Sequence, residues 1–537
     1  MLVDYKQKKF LIIDDFPEFR KSLRFMMRTF GAVEIDDSGS GEDAIELIQR
    51  KAYDVILCDY NLGHNRKDGQ QVLEEIKHRG LIKLTTVFIM ITAENTSDMI
   101  MGIVEYQPDD YLIKPFTKES LKARLEKVFK KKADFELVAE AMGKKEYRHA
   151  IDICDMYIEQ RPPNMFEYIK LKGDLCIQIG DYDKAMSAFE QALSFREIPW
   201  ARLGIGKVFF YREEHEKARD VFVSLMKNNK MYVAAYDWLS KTLLKLNDYK
   251  YAQDVLETAV VVSPKSVVRQ KALGEVSLQN KDYDVSERSF KSAISLGKHS
   301  VLKSPSAYTG LAKALVNKDE SEEAISVLNG IQDEFKGSSE AAFQAAAMKG
   351  LVFKKMGNEE EARKSIQEAV GLFDSSSRNI PGDTIIDLAK TCLEMGEKEN
   401  GLKLIQEVIR NNHDDAAVIE TVQAVFNESN LAEEGNKLIN STRREIIQIN
   451  NDGVKLVDEG KLTEAIERFE KAAANLPGNK IIIANAAQAL LMQLQKAGKN
   501  EALLRKAKNH LERLQELDSS YKKLAKLLDM YEKLSVS

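Results

Sequence analysis

Proline and glycine are scarce in this chain, at 10 and 28 among 537 residues. So few chain breakers over such a length point to a mostly helical protein. Cysteine is nearly absent: Cys58, Cys154, Cys176 and Cys392 share no CxxC spacing and have no histidine cluster beside them. A disulfide framework and a zinc ribbon are both disfavoured, and reduced core thiols of a cytoplasmic protein are expected. No apolar run approaches the roughly 20 residues that cross a bilayer. The first ten residues are charged and lack the apolar stretch of a signal peptide. A basic excess is missing too, since the net charge is −5. That argues against nucleic acid as the main partner. Hydrophobic residues at 44% exclude a disordered chain, and the length exceeds one ordinary domain.

The chain changes character near residue 132. Before it, apolar runs alternate with amphipathic stretches. Strands are expected at Lys9–Asp14, Ala32–Asp37, Asp54–Asp59, Thr86–Thr92 and Asp110–Ile113. Helices are expected at Pro17–Phe30, Gly41–Arg50, Gly69–Arg79, Ser97–Tyr106 and Lys118–Lys131. Five βα units in this space imply an α/β doubly wound, five-stranded parallel sheet. Runs such as Val55–Cys58 and Val87–Ile91 are apolar throughout, as strands covered on both faces must be.

After residue 132 no strand is evident, and the sequence repeats itself. A small residue is followed by a bulky one at +4 and an apolar or small one at +7. Examples are Ala185/Phe189/Ala192, Ala218/Phe222/Leu225, Ser286/Phe290/Ala293 and Ala465/Phe469/Ala472. Early intervals are 33 to 35 residues and the next three are 38 or 39. A gap of 64 between Gly401 and Ala465 places a degenerate unit around Leu431–Ile439. A second small residue precedes most triplets by twelve positions, as at Gly173, Gly206, Gly274, Gly350 and Gly453. Small residues at both places let two antiparallel helices approach closely. This pattern resembles the tetratricopeptide repeat over most of residues 133–515. The resemblance implies an all-α solenoid with a concave, protein-binding face. Expected divisions are a first domain at 1–132, N-terminal repeats at 133–300, longer and degenerate repeats at 301–445, and a C-terminal repeat with capping helices at 446–537.

The chemistry is concentrated in the first domain. Asp14 and Asp15 end the first strand and Asp59 ends the third. Strand carboxyl ends gather at one rim of a doubly wound sheet, where ligands bind. Three carboxylates there repel unless a cation intervenes, and an oxygen-seeking ion such as Mg²⁺ suits them. Thr92 and Lys114 end the fourth and fifth strands. A hydroxyl and an ammonium at the same rim can hold phosphoryl oxygens. The residues Asp14-Asp15, Asp59 in Leu57-Cys58-Asp59-Tyr60-Asn61-Leu62, Thr92-Ala93 and Lys114-Pro115-Phe116 resemble the response-regulator receiver, in particular the chemotaxis type. The resemblance covers residues 7–131. It implies that Asp59 is the phosphoacceptor and that Asp15, Asp59 and the Asn61 backbone carbonyl contact Mg²⁺, with Asp14 acting through water. It implies phosphoryl binding by Thr92 and Lys114, a switch residue at Tyr111, and a cis Lys114–Pro115 bond. Asn61 and Glu94 fall at positions that tune dephosphorylation, and their pairing implies a short-lived signal. Two departures stand out. Gly63 replaces a usual proline, and the loop Gly63–Asp68 is two residues longer than usual. That lengthening bears on partner docking more than on chemistry.

In repeats of this kind the first helix of each pair lines the concave face. Counting back from the triplets places Trp200, Lys207, Phe210 and Tyr211 there, with Asp237 and Lys241 from the next repeat. Aromatics beside charges suit a peptide anchor. No Gly-rich phosphate loop, HExxH or GxSxG follows residue 132. The expected protein is therefore not an enzyme beyond receiver self-phosphorylation and self-dephosphorylation. It is a two-component regulator in which phosphorylation of Asp59 by a histidine kinase switches a protein-binding adaptor. The adaptor would act on a kinase or a companion regulator, and a homodimer is compatible with this. The alternative is a phosphate sink with a constitutive repeat scaffold. A nucleic-acid-linked transcription regulator is a more distant reading.

Overall fold

A computed structural model describes residues 3–93, 107–376, 380–518 and 521–536. Contacts divide the chain into two units. One holds residues 1–176 and 182–307, and the other holds 177–181 and 308–537.

The first unit begins with a five-stranded parallel sheet in the order β2-β1-β3-β4-β5. The strands are β1 (Lys9–Ile13), β2 (Glu34–Ser38), β3 (Val55–Asp59), β4 (Val87–Thr92) and β5 (Asp110–Ile113). The helices are α1 (Pro17–Thr29), α2 (Gly41–Arg50), α3 (Gly69–His78) and α4 (Lys118–Asp134). The expected helix Ser97–Tyr106 and Glu94 lie outside the described residues. Every residue of β3 and β4 is buried. One core layer joins Leu11, Ile56 and Phe88 to α2 and α3, and the other joins Phe10, Leu57 and Ile89 to α1 and α4. Side chains alternate across a strand, so a strand sandwiched by helices must be apolar at every position. β2 starts two residues later than expected. Gly31, at φ 101°, turns the chain out of α1, and the Ala32 amide bonds the Met27 carbonyl to close that helix. β1 and β3 are neighbours although the chain visits β2 between them. Their carboxyl ends therefore meet at the rim.

From Lys118 onward all regular elements among the described residues are helices, paired as the triplets require. Where a glycine stands sixteen positions before the +4 residue of a triplet, that residue lies over it. A Cβ at Gly206 would stand 2.3 Å from the Phe222 ring, and one at Gly453 would stand 2.4 Å from the Phe469 ring. Glycine is needed at these seams for space. A second signature sits five residues before each triplet, where the turn between paired helices takes a left-handed backbone. Lys145, Glu213, Asn247, Lys281, Asp319 and Asn430 occupy it, and glycine does so at 180, 357, 396 and 460. Single residues in that region cost little beside the packing of two helices, so the position tolerates many types.

Asn430 puts the degenerate unit in phase. Its triplet begins at Gly435, where a Cβ would meet the Phe426 ring at 2.3 Å. The second helix of this unit does not stop. Ala432–Asp458 is one helix of 27 residues that also serves as the first helix of the next pair. No proline and no glycine lies between Lys437 and Asp452, so nothing breaks it. The end of the second unit packs Leu490, Leu494, Leu511 and Leu514 against Leu524 and Leu527 of the last helix.

Candidate functional site

Asp14 follows β1 and is 1% exposed, while Asp59 ends β3 and is 8% exposed. Lys114 follows β5 and reaches between them. Its Nζ lies 2.9 Å from Asp14 Oδ2 and 3.1 Å from Asp59 Oδ2. The same ammonium stands 4.0 Å over the Phe19 ring. The Lys114–Pro115 bond is cis. The Lys114 amide donates to the Thr92 carbonyl at 2.7 Å, which ties β5 to the end of β4, and Thr92 itself is buried. Carboxylate oxygens of Asp14, Asp15 and Asp59 can all lie within 4.8 Å of one another. Asp15 is exposed and the other two are buried. One open side and three converging hard oxygens match what Mg²⁺ requires, because that ion keeps several waters. The donor set fits the ion. When bound it would supply charge neutralisation for an incoming phosphoryl group.

Burial pushes the Asp59 carboxyl up to about 6 against the opposing pull of Lys114, and Asp14 adds to the rise. Desolvation wins here because Asp59 has one cation beside it and a buried carboxylate near it. Lys114 loses solvation too, but the Asp14 hydrogen bond and the charges of Asp59 and Asp14 outweigh that and hold its ammonium more firmly protonated. At neutral pH the centre thus holds an ionised nucleophile candidate and a fixed cation. The neighbouring Cys58 thiol is fully buried and its pKa is pushed well up by desolvation, so it is no rival nucleophile.

Two supports were not foreseen from the sequence. Arg20 donates to the Asp14 carbonyl at 2.6 Å and pairs with Asp37 at 3.0 Å, which fixes the β1 end. Gly69 opens α3 directly against the end of β3, where a Cβ would stand 2.1 Å from the Asp59 carbonyl oxygen. A glycine at the start of a helix was the available signal. Asn61 Oδ1 accepts from the Gly63 amide at 3.1 Å. Tyr111 is 44% exposed on β5.

The six groove candidates are not all together. Phe210 and Tyr211 place their rings 5.4 and 5.8 Å from Trp238, and Lys207 and Lys241 stand 5.3 and 4.8 Å from the same ring. Trp238 is the centre of this cluster and was missed, although it is one of only two tryptophans in the chain. Trp200 instead meets Phe189 at 6.3 Å. Asp237 is engaged by Arg269, at 2.9 and 3.0 Å to its two oxygens. Arg269 is 3% exposed, so this pair joins adjacent repeats. Burial lowers the Lys207 pKa and raises that of Asp174 near it.

Residues 10–126 match the response regulator receiver domain, and residues 171–198 and 343–375 match the tetratricopeptide repeat. Residues 10–126 are thus a response-regulator receiver domain, and tetratricopeptide repeats follow it. Its first 130 or so residues are similar to chemotaxis protein CheY-3 of Vibrio cholerae, 28% identical over 130 residues, which is 24% of this chain and 95% of that protein. They are also similar to chemotaxis protein CheY of Pseudomonas aeruginosa, 28% identical over 123 residues, covering 23% and 97%. Among solved structures, a tetratricopeptide repeat protein from Parabacteroides merdae matches 49% of this chain and 98% of its own, at 14% identity and a TM-score of 0.39. A two-component response regulator from Clostridium difficile matches 23% and 97%, at 29% identity and a TM-score of 0.21.

Proposed function

We propose that this protein is a phosphorylation-switched adaptor. A histidine kinase or a small phosphodonor delivers a phosphoryl group to Asp59, and the repeats hold a protein partner whose capture depends on that state. The observation that carries the reading is the Lys114 ammonium bridging Asp14 and Asp59, with Asp15 alongside. An Asp59 oxygen attacks phosphorus, the bond from phosphorus to the donor's leaving oxygen or nitrogen breaks, and the leaving group takes that electron pair. Lys114 balances the charge brought in by the phosphoryl oxygens, and the Thr92 hydroxyl at the end of β4 supplies a further donor. Asp14, Asp15 and Asp59, with the Asn61 backbone, would hold Mg²⁺. Reversal by water returns the carboxylate, and nothing else in the chain is assigned catalysis.

The repeats supply the output. Aromatic and cationic side chains gather at Trp238, a combination suited to a protein or peptide partner. The location is the cytoplasm, where kinase and phosphodonor meet the receiver, and nucleic acid is not the ligand. The test is partner capture from native lysate with and without beryllofluoride and Mg²⁺, with Asp59→Asn as control. Beryllofluoride stands in for the phosphoryl group. A partner gained or lost with beryllofluoride in wild type alone is the expected result. Identical partners in every condition would overturn the switch and leave a phosphate sink on a fixed scaffold.

A further inference from the structure

The lengthened loop after Asp59 leads to an unusual surface. Glu74 and Glu75 of α3 are 6% and 5% exposed, and Lys67 and Gln70 just before them are 8% and 7% exposed. Charged side chains are seldom buried without partners. Glu75 is held by Arg79 at 3.0 Å and Gln70 by the Tyr60 hydroxyl at 3.4 Å, but other partners come from the repeats, more than two hundred residues away in sequence and in the same structural unit. Lys67 Nζ donates to the His299 carbonyl and pairs with Glu75 at 2.8 Å. Gln71 Nε2 donates to the Leu296 carbonyl at 3.2 Å. The Ser300 hydroxyl donates to Glu74. Lys298 Nζ lies 2.8 Å from Asn65 Oδ1, and Lys265 Nζ lies 3.2 Å from the Tyr60 hydroxyl.

These contacts share a physical logic. The helix Tyr283–Gly297 ends at this surface, and the last carbonyls of a helix lack partners within it. Leu296 is one of them and takes the Gln71 amide, while His299, in the turn just past the helix, offers its carbonyl to Lys67 near the negative end of the helix dipole. Asn65 and Lys67 both lie in the loop that is two residues longer than the receiver pattern predicts, so the extra length supplies the grip.

The same loop begins inside the acidic pocket. A Cβ at Gly63 would stand 3.7 Å from Asp15 Oδ2, and the Gly63 amide is tied to Asn61. Gly69 then closes the loop, with its amide 2.8 Å from the Tyr60 carbonyl. Three residues separate Gly63 at the pocket from Lys67 at the repeats. A change of occupancy at Asp59 that moves Asn61 and Gly63 must therefore strain or release the grip.

We infer that Lys265 and the segment 296–300 form a built-in docking partner for the receiver, gripping the Tyr60–Asp68 loop and α3. Phosphorylation of Asp59 weakens this grip, and by linkage the grip opposes phosphorylation. This rests on the phosphoacceptor reading of Asp59. It assigns the output of the receiver to the α3 side, through which occupancy of the pocket reaches the repeats.

The test uses the full chain. Hydrogen exchange is followed at residues 60–76 and 296–304, with and without beryllofluoride and Mg²⁺. In parallel, labelling of Asp59 by acetyl phosphate is timed in wild type, Lys265→Met, Lys298→Ala and Lys265→Arg. The expected result is faster exchange in both segments with beryllofluoride, and faster labelling in Lys265→Met and Lys298→Ala, by roughly fivefold or more for the pair combined. Lys265→Arg should return towards wild type, which a purely structural role would not require. Unchanged circular dichroism shows that the variants fold. Labelling that occurs normally but is unchanged or slowed in the variants overturns the coupling alone. No Asp59 adduct in wild type overturns the phosphoacceptor reading and the coupling with it.

Discussion

Lowering the pH from 7 to 5 should weaken Mg²⁺ binding by about tenfold. The metal needs Asp59 as an anion, and burial raises that carboxyl to about 6. A carboxyl with a raised pKa is neutral below it, so affinity is full well above 6 and is lost as the pH falls through it. At pH 7 roughly nine in ten sites are ionised and at pH 5 roughly one in ten. With the ordinary value of 3.8 the loss over this interval would be only a few per cent, so the two cases separate cleanly. Calorimetric titration of the full chain with MgCl₂ measures this directly. Repeating it at pH 6 in buffers of different ionisation enthalpy should show about half a proton released per ion bound. Asp59→Asn should bind more weakly and lose most of the pH step. An affinity unchanged between pH 7 and pH 5 would refute the claim that desolvation at β3 outweighs the pull of Lys114.

Gly206→Ala and Gly453→Ala should each lower stability by about 1–3 kcal/mol, because the new methyl meets a buried phenylalanine ring. Gly330→Ala, in a helix with open space around it, should be neutral or slightly stabilising, and thermal melts compare the three. Asp237→Ala should cost roughly 1–3 kcal/mol in urea unfolding, since it strips a carboxylate from the buried Arg269. If Asp237→Ala instead leaves the melt unchanged and abolishes partner capture, Asp237 is a groove residue. Gly69→Ala should suppress labelling of Asp59 strongly while the helical circular dichroism of the repeats persists, because α3 cannot close on β3.

Much of this architecture was legible because its signals are periodic. Two-sided burial made β3 and β4 apolar at every position, and the seams between helix pairs left glycine and phenylalanine at fixed offsets. The rim residues were readable because strand ends converge at a switch in strand order, which brings Asp14, Asp59 and Lys114 together from distant positions. The failures have physical causes. The division expected between 445 and 446 falls inside helix Ala432–Asp458, because without a breaker a helix runs on. Asp237 was placed on the groove from its repeat position, and its pairing with Arg269 of the following helix is something a one-dimensional offset does not carry. Trp238 was passed over because it lies one position beyond Asp237, where the offset did not point. The grip on α3 was invisible for the same reason. Nothing in the sequence around Lys67, Gln71 and Glu74 marks His299, Leu296 and Ser300 as their partners.

The most direct test of the central claim is transfer of a radiolabelled phosphoryl group from acetyl phosphate to the full chain. The account predicts a label that requires Mg²⁺, maps to the peptide containing Asp59, is absent in Asp59→Asn and is strongly reduced in Lys114→Ala. A label that persists in Asp59→Asn, or a wild-type chain that takes none with Mg²⁺ present, would contradict it.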